Sequence, residues 1–248
     1  MMNKETRTLG IILKRRNIGE ADRLLFIFTE ELGKVTAVGR GLRKIKAKLA
    51  GHLEPFSLTN LQLIKGRNLY TVIGAQLIER FALPEEIEKI AEAGFICEVL
   101  DKALRDEAPH QDLFQSSILA LREVSKFGHP SPKVRSFFIL ESLLETGFHP
   151  ELNKCVQCGE KLVPEGNKFS LAHGGLVCHR HQGEEGAEIS AEAIKVLRLF
   201  SSRDLEMTQK INIPEKIVAE VSGWCHRFME WVLERELKSE KFLRQISN

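Results

Sequence analysis

Residues 23–38 read Arg23-Leu-Leu-Phe-Ile-Phe-Thr29, Glu30-Glu-Leu-Gly33 and Lys34-Val-Thr-Ala-Val38. Two runs rich in β-branched and aromatic residues are joined by a short turn that ends in Gly33. Glycine can adopt the positive φ that a tight connection requires, so this pattern predicts a β-hairpin.

The second strand leads into a basic segment, Gly39-Arg-Gly-Leu-Arg-Lys-Ile-Lys-Ala-Lys-Leu49. Between positions 34 and 48 the chain has six cations and no acid. Gly39 and Gly41 leave the backbone free to bend around a ligand. The apolar residues between the cations, Leu42, Ile45 and Leu49, are expected to anchor the loop. The segment is suited to binding a phosphate backbone, although most charge runs are solvated surface.

Three further runs have the composition of strands: residues 8–13, 56–64 and 69–78. The segment Lys65-Gly-Arg-Asn68 predicts a turn between the last two, and a slip of the apolar phase near Asn60 predicts a bulge. Five strands within residues 1–80 leave no room for crossover helices, which predicts a small antiparallel barrel. The five-stranded OB-fold is the first candidate, and an SH3-like barrel fits the periodicity nearly as well.

Composition and charge limit the class of protein. The 248 residues are 43% hydrophobic and 28% charged, and no apolar run approaches the roughly 20 residues of a membrane-spanning helix. Residues 1–80 contain 15 Lys and Arg against 7 Asp and Glu, whereas residues 81–248 contain 21 against 27. This asymmetry is expected when one module binds a polyanion. The N-terminus has no apolar signal-peptide core, so we expect a cytoplasmic protein whose five cysteines are thiols or metal ligands.

The remainder of the chain has helical periodicity. Pro84-Glu-Glu86 is suited to the start of a helix that continues to about Arg105. Four more helices are predicted over residues 111–127, 133–146, 190–201 and 214–237. Short connections between them predict an all-α domain over residues 81–248, following a barrel domain over residues 1–80.

A metal-binding pattern interrupts these helices. Cys155-Val-Gln-Cys158 is followed, after nineteen residues, by Cys178-His-Arg-His181. Two ligand pairs of this spacing are typical of a zinc ribbon and predict a structural Zn²⁺ held by Cys155, Cys158, Cys178 and His181 within a module of residues 152–184. His179 is the alternative fourth ligand. A small hairpin from residues 168–171 and 176–177 is expected beneath the site.

Patterns typical of catalysis are missing from the sequence. It has no HExxH motif, no complete His-x-Glu…Pro-Cys-x-x-Cys deaminase signature, no Walker loop and no GxSxG elbow. We therefore expect a protein that is not an enzyme. A non-enzymatic zinc-ribbon module that binds RNA or protein is the alternative to DNA binding.

Several segments, in this order, resemble the bacterial RecO family of recombination mediators. They are Ile18-Gly-Glu-Ala-Asp-Arg23, Thr29-Glu-Glu-Leu-Gly-Lys34, Gly39-Arg-Gly-Leu-Arg-Lys44, Leu53-Glu-Pro-Phe-Ser57, Thr146-Gly-Phe-His-Pro150, Cys155-Val-Gln-Cys-Gly159 and Gly174-Gly-Leu-Val-Cys178. The likeness extends from about residue 8 to residue 181. His181 departs from the pattern, since many members have a fourth cysteine there, but both side chains ligate zinc.

The resemblance implies an N-terminal OB-fold, a helical domain with a zinc module, and location at the nucleoid in the cytoplasm. It also implies binding of single- and double-stranded DNA, annealing of complementary strands and, with RecR, loading of RecA onto DNA coated by single-stranded-DNA-binding protein. The expected phosphate contacts are Arg40, Arg43, Lys44, Lys46 and Lys48, supported by Arg15, Arg16, Lys34 and Arg67.

The resemblance further implies that the acidic, apolar tail of single-stranded-DNA-binding protein docks on the helical domain. Such a tail requires an apolar pocket edged by cations. The cations that lie close in sequence around a helix junction are Arg122, Lys126, Lys133 and Arg135.

Overall fold

The computed structural model describes residues 5–82, 85–181, 186–234 and 237–246. Residue contacts divide the chain into two compact units, residues 1–130 with 237–248, and residues 131–236. The first unit extends past residue 80, so this division does not test the domain boundary predicted there, which stays a prediction. Within the described ranges, every helix is too short or too polar to span a lipid bilayer.

The first unit contains a closed barrel of five strands in the order β1-β2-β3-β5-β4. The strands are β1 (Glu5–Ile18), β2 (Asp22–Thr29), β3 (Gly33–Gly39), β4 (Ser57–Lys65) and β5 (Tyr70–Arg80). Neighbours are antiparallel except β3 and β5, which pair in parallel at Ala37–Tyr70 and Val38–Thr71. This closed order confirms the predicted OB-fold.

The barrel core follows the period-two alternation of the strands. Ile12, Leu25, Ile27 and Leu61 are fully buried inside it. Burying each such side chain contributes roughly 1.5–3 kcal/mol relative to leaving it in water.

The pairing of β4 with β5 shifts register twice, on either side of Asn60. The sequence predicts a bulge near Asn60, but each extra residue belongs to β5, where Ile73 and Ile78 lie opposite no partner and are exposed. The apolar phase of one strand cannot show on which strand of a pair the extra residue lies.

Helices form most of the rest of the described chain. They are α1 (Ile87–Ala103), α2 (Gln111–Phe127), α3 (Pro132–Glu145), α4 (Ala191–Ser201), α5 (Leu205–Lys210), α6 (Glu215–Leu233) and α7 (Lys238–Ile246). Three short strands form a second sheet in the order β7-β6-β8: β6 (Lys168–Ser170), β7 (Gly175–Val177) and β8 (Ala187–Glu188).

The helix ends follow local signals. Gly128 takes φ +90° after α2, and the Ser131 side chain accepts the Val134 N–H at the start of α3. The predicted start of the first helix at Pro84 lies outside the described residues. The prediction of one final helix through Leu237 is wrong, since Glu234 adopts a left-handed conformation and ends α6 at Leu233.

In the first unit, the connection between α1 and α2 packs against the start of β3. Gly33 has φ +69°, and a Cβ there would lie 2.1 Å from the Ala108 carbonyl oxygen. On the outer face of β2, Phe28 is buried and makes an edge-to-face contact with Phe114 of α2, with ring centroids 5.4 Å apart. These contacts fix the helical segment to one end of the barrel.

We expect Gly33→Ala to lower the free energy of unfolding by more than about 2 kcal/mol, because it adds both backbone strain and a clash. Urea denaturation provides the measurement. Gly19→Ala separates the two effects, since Gly19 has φ +54° and a Cβ there would meet no atom within 4 Å, and it should cost about 1 kcal/mol. Equal losses for both variants would contradict the close contact with Ala108.

Candidate metal centre and nucleic-acid interface

Two short loops of the second unit bring the predicted metal ligands together. Cys155 and Cys158 lie in a knuckle closed by Gly159, which has φ +72° and donates its N–H to the Cys155 carbonyl at 2.8 Å. Cys178 follows directly after β7. His181 ends one turn of 3₁₀ helix, where its N–H donates to the Cys178 carbonyl at 2.9 Å.

The geometry of the four side chains fits a tetrahedral metal ion. The ligand atoms of Cys155, Cys158, Cys178 and His181 all lie within 4.8 Å of one another. His181 Nδ1 is 3.3 Å from Cys178 Sγ and 3.9 Å from Cys155 Sγ. Zinc–sulfur and zinc–nitrogen bonds of about 2.3 and 2.0 Å require ligand atoms about 3.5–3.8 Å apart. His179 is exposed and lies outside this group.

The thiols of the cluster do not ionise alike. Burial opposes ionisation of Cys155, but N–H groups of Cys178, Cys158 and Gln157 point at its sulfur and lower its pKa to about 6. Desolvation and hydrogen bonds to the other two thiols raise the pKa of Cys158 to about 11. Three thiolates this close repel one another, and a divalent cation at their centre would offset that repulsion.

In the first unit, hydrogen bonds attach the basic loop after β3 to the turn between β1 and β2. The Gly41 N–H donates to Asp22 Oδ1 at 2.8 Å, and the Arg43 N–H donates to the Ala21 carbonyl at 2.9 Å. The Arg43 guanidinium also donates to the Gly19 carbonyl at 3.0 Å. The loop therefore has a defined conformation at one end of the barrel.

Apolar side chains anchor the loop, but not all those predicted to do so. Leu42 is 4% exposed and lies in the barrel core, and Leu49 packs partly against the same core. A Cβ on Gly39 would lie 2.2 Å from Leu42 Cδ1, so a larger residue there would displace the Leu42 side chain. Ile45 is fully exposed, and its predicted anchoring role is wrong. Loop residues lack the regular periodicity of helices and strands, so the sequence could not show which of their side chains are buried.

The loop cations are the most available of the predicted phosphate contacts. Five are exposed and have no ionic partner within the described part of the chain: Arg40, Arg43, Lys44, Lys46 and Lys48, although the Arg43 guanidinium is held by the Gly19 carbonyl. Arg16, near the end of β1, and Arg67, in the turn between β4 and β5, are also exposed. Since β5 runs parallel to β3, the turn that contains Arg67 lies at the opposite end of the barrel from the loop.

Two of the other predicted contacts are occupied within the chain. Arg15 forms an ion pair with Glu54. Lys34 is only 15% exposed, and its ammonium lies 3.4 Å from a carboxylate oxygen of Asp106 and 2.7 Å from the Asp101 carbonyl. Their partners lie 39 or more positions away, so local sequence could not reveal these pairings.

One accessible aromatic side chain on β2 was not predicted. Phe26 is half-buried on the outer face of β2, and Lys14 Nζ lies 4.4 Å from the centroid of its ring. The alternation of Leu25, Phe26 and Ile27 is the signal that could have placed it outside.

The four cations predicted to receive an acidic tail are divided between the two units. Arg122 and Lys126 lie on α2, and Lys133 and Arg135 lie on α3. Arg122 pairs with Glu79 at 2.9 Å. Lys126 lies 5.0 Å from the ring centroid of Phe127, which is 61% exposed at the end of α2.

Family models match both parts of the chain. One described as Recombination protein O N terminal matches residues 2–81, and one described as Recombination protein O C terminal matches residues 84–241. The chain belongs to the RecO family.

Full-length relatives agree with this RecO assignment. A protein of Dehalococcoides mccartyi is 30% identical over 97% of this chain and 96% of its own length. A protein of Roseiflexus sp. is 33% identical over 99% of this chain and 87% of its own length, and one of Symbiobacterium thermophilum is 31% identical over 94% of each. All three are named DNA repair protein RecO.

We expect His181→Ala to abolish stoichiometric metal binding, because it removes one of four ligands, whereas the matched variant His179→Ala should retain it. Metal content after loading with Zn²⁺ and dialysis is the measurement. Loss of the metal should also lower the unfolding temperature of the second unit by roughly 10 °C or more. Full metal retention by His181→Ala, or metal loss in His179→Ala, would contradict the ligand set.

Proposed function

We propose that this RecO-family chain is a DNA-binding mediator of recombinational DNA repair that anneals complementary strands. Family membership supports a role in DNA repair and recombination. The observation that carries the proposal is the loop at one end of the OB-fold, where Arg40, Lys44, Lys46 and Lys48 are exposed without an acidic partner in the described chain.

Such a surface binds both single- and double-stranded DNA, because it contacts the phosphate backbone that both possess and does not read the sequence. Annealing brings two polyanions together, and bound cations reduce their repulsion while leaving the base edges available. Arg16 and Phe26 lie on neighbouring strands of the same outer face and extend the surface beyond the loop.

The chemistry is binding, without a catalytic step. The metal is Zn²⁺, and the three cysteines and His181 would fill all four positions of its tetrahedral shell. A filled shell leaves no site for a reactive water, so the ion would stabilise the fold of residues 152–184.

The proposed partners follow from the family. They are RecR, with which the protein helps load RecA onto DNA, and the C-terminal tail of single-stranded-DNA-binding protein. Lys126 beside the exposed ring of Phe127 has the cationic and apolar character that an acidic, apolar tail requires. DNA binding implies a cytoplasmic protein associated with the nucleoid.

We expect replacement of Arg40, Lys44, Lys46 and Lys48 by Ala to abolish most binding of a labelled single-stranded oligonucleotide, measured by fluorescence anisotropy across a salt series. If six of the predicted phosphate contacts each neutralise one phosphate, the logarithm of the wild-type association constant falls with log[salt] at a slope of roughly −4 on single strands. Removing four of them should reduce the slope by about 3.

Two controls define this experiment. Alanine at the exposed cations Lys161, Lys195, Lys210 and Lys216 of the second unit removes the same charge and should leave the affinity unchanged. Glu20→Gln, in the turn beside the loop, should tighten binding. Equal weakening by both quadruple variants would show only a net-charge effect, and wild-type preference for structured RNA would favour the RNA-binding alternative.

We expect Lys126→Glu and Phe127→Ala each to lower the affinity for a peptide of the acidic tail by about tenfold. This corresponds to the loss of one contact worth about 1.4 kcal/mol. Isothermal titration calorimetry measures the affinity, and Lys195→Glu on α4 is the matched charge control. Unchanged affinity in both α2 variants would rule out this site.

A further inference from the structure

Ile45, in the basic loop, is the most exposed large apolar residue of the described chain. Its side chain is fully exposed, whereas the next most exposed large apolar side chain in the described chain, Phe127, is 61% exposed. Lys44 and Lys46 stand on either side of it. A polar residue would serve equally well at such a position if the loop were only a solvated connection.

Hydrogen bonds hold Ile45 at the tip of the loop. The Lys44 N–H donates to the Gly41 carbonyl at 3.1 Å, and the Ala47 N–H donates to the Lys44 carbonyl at 3.0 Å. Ile45 is therefore the second residue of the turn from Lys44 to Ala47. With Leu42 buried in the barrel and Leu49 packed against it, this turn projects between two anchored positions.

From this geometry we infer that Ile45 inserts between neighbouring bases of a bound DNA strand while Lys44 and Lys46 hold the flanking phosphates. Aliphatic side chains act as such wedges in DNA-binding proteins and partly unstack the bases they separate. The inference rests on the proposed DNA-binding function and assigns this residue a contact distinct from the electrostatic ones.

The contact would aid annealing. A single strand in water stacks its bases, and stacked bases present their pairing edges in a helical arrangement of their own. An apolar wedge opens one base step and keeps it open at little cost in desolvation, because isoleucine has no hydrogen bonds to lose. The cations then hold the opened strand without reading its sequence.

The test uses a single-stranded oligonucleotide that contains 2-aminopurine, whose fluorescence rises when it is unstacked. The full-length wild-type protein should raise the fluorescence on binding. Ile45→Ala should remove most of that rise and weaken binding about tenfold, with no change in the salt slope. Lys46→Ala should instead reduce the slope by about 0.7, because it removes a phosphate contact.

Matched variants separate the wedge from general effects. Ile73→Ala removes the same atoms from an exposed position on β5 and should change neither the fluorescence rise nor the affinity for DNA. Ile45→Leu should retain the fluorescence rise and the affinity, since leucine can also insert between bases.

Salt-sensitive wild-type binding that Ile45→Ala leaves unchanged in affinity and fluorescence would overturn the inference and leave the proposed function standing. Absence of salt-sensitive binding by the wild type would overturn both.

Discussion

Leu42 fixes the cationic loop to the barrel, and the geometry of the proposed DNA interface depends on this contact. Its side chain lies in the core among the inward residues of the strands, directly over Gly39, while Arg40 and Arg43 on either side of this turn are exposed. Burial of one leucine, worth roughly 1.5–3 kcal/mol, thus holds several mutually repelling cations in one place. Without the buried Leu42 side chain, only the hydrogen bonds to the β1–β2 turn would hold the loop in its conformation.

Pairing of charges within the first unit decides which cations remain available. At the end of the barrel where β3 begins, acids from α1 and the connection after it neutralise lysines: Asp101 pairs with Lys14, Asp106 with Lys34 and Glu107 with Lys65. At the loop end, Glu20 is exposed in the turn beside the loop, whereas Asp22 and Glu54 have partners other than the exposed loop cations. Glu54 binds Arg15 and Arg23, and Asp22 accepts the Gly41 N–H. The net positive charge of the N-terminal region is therefore concentrated around the loop.

Local features of the sequence predicted most of the elements and the four side chains that the structure brings together as a possible metal site. Strand alternation and turn glycines identified the barrel, and the spacing of Cys155-Val-Gln-Cys158 identified a knuckle, because both depend on residues only a few positions apart. Interactions between distant residues could not be predicted this way. The contact of Lys34 with Asp101 spans 67 positions. The end of α6 at Leu233 was missed for a different reason, because it depends on a left-handed backbone at the adjacent Glu234, which a residue other than glycine seldom adopts. The exposure of Ile45 likewise follows from how the loop folds, not from its composition.

The most direct test of the proposed interface is photo-crosslinking of a single-stranded oligonucleotide containing 4-thiothymidine, with the adducts mapped by mass spectrometry. If DNA binds at the loop end of the barrel, adducts should concentrate in residues 39–53 and in the neighbouring segment of β1 after Lys14. Adducts confined to the second unit, above all to the segment between Cys155 and His181, would contradict this placement and would make the metal module the DNA-binding element.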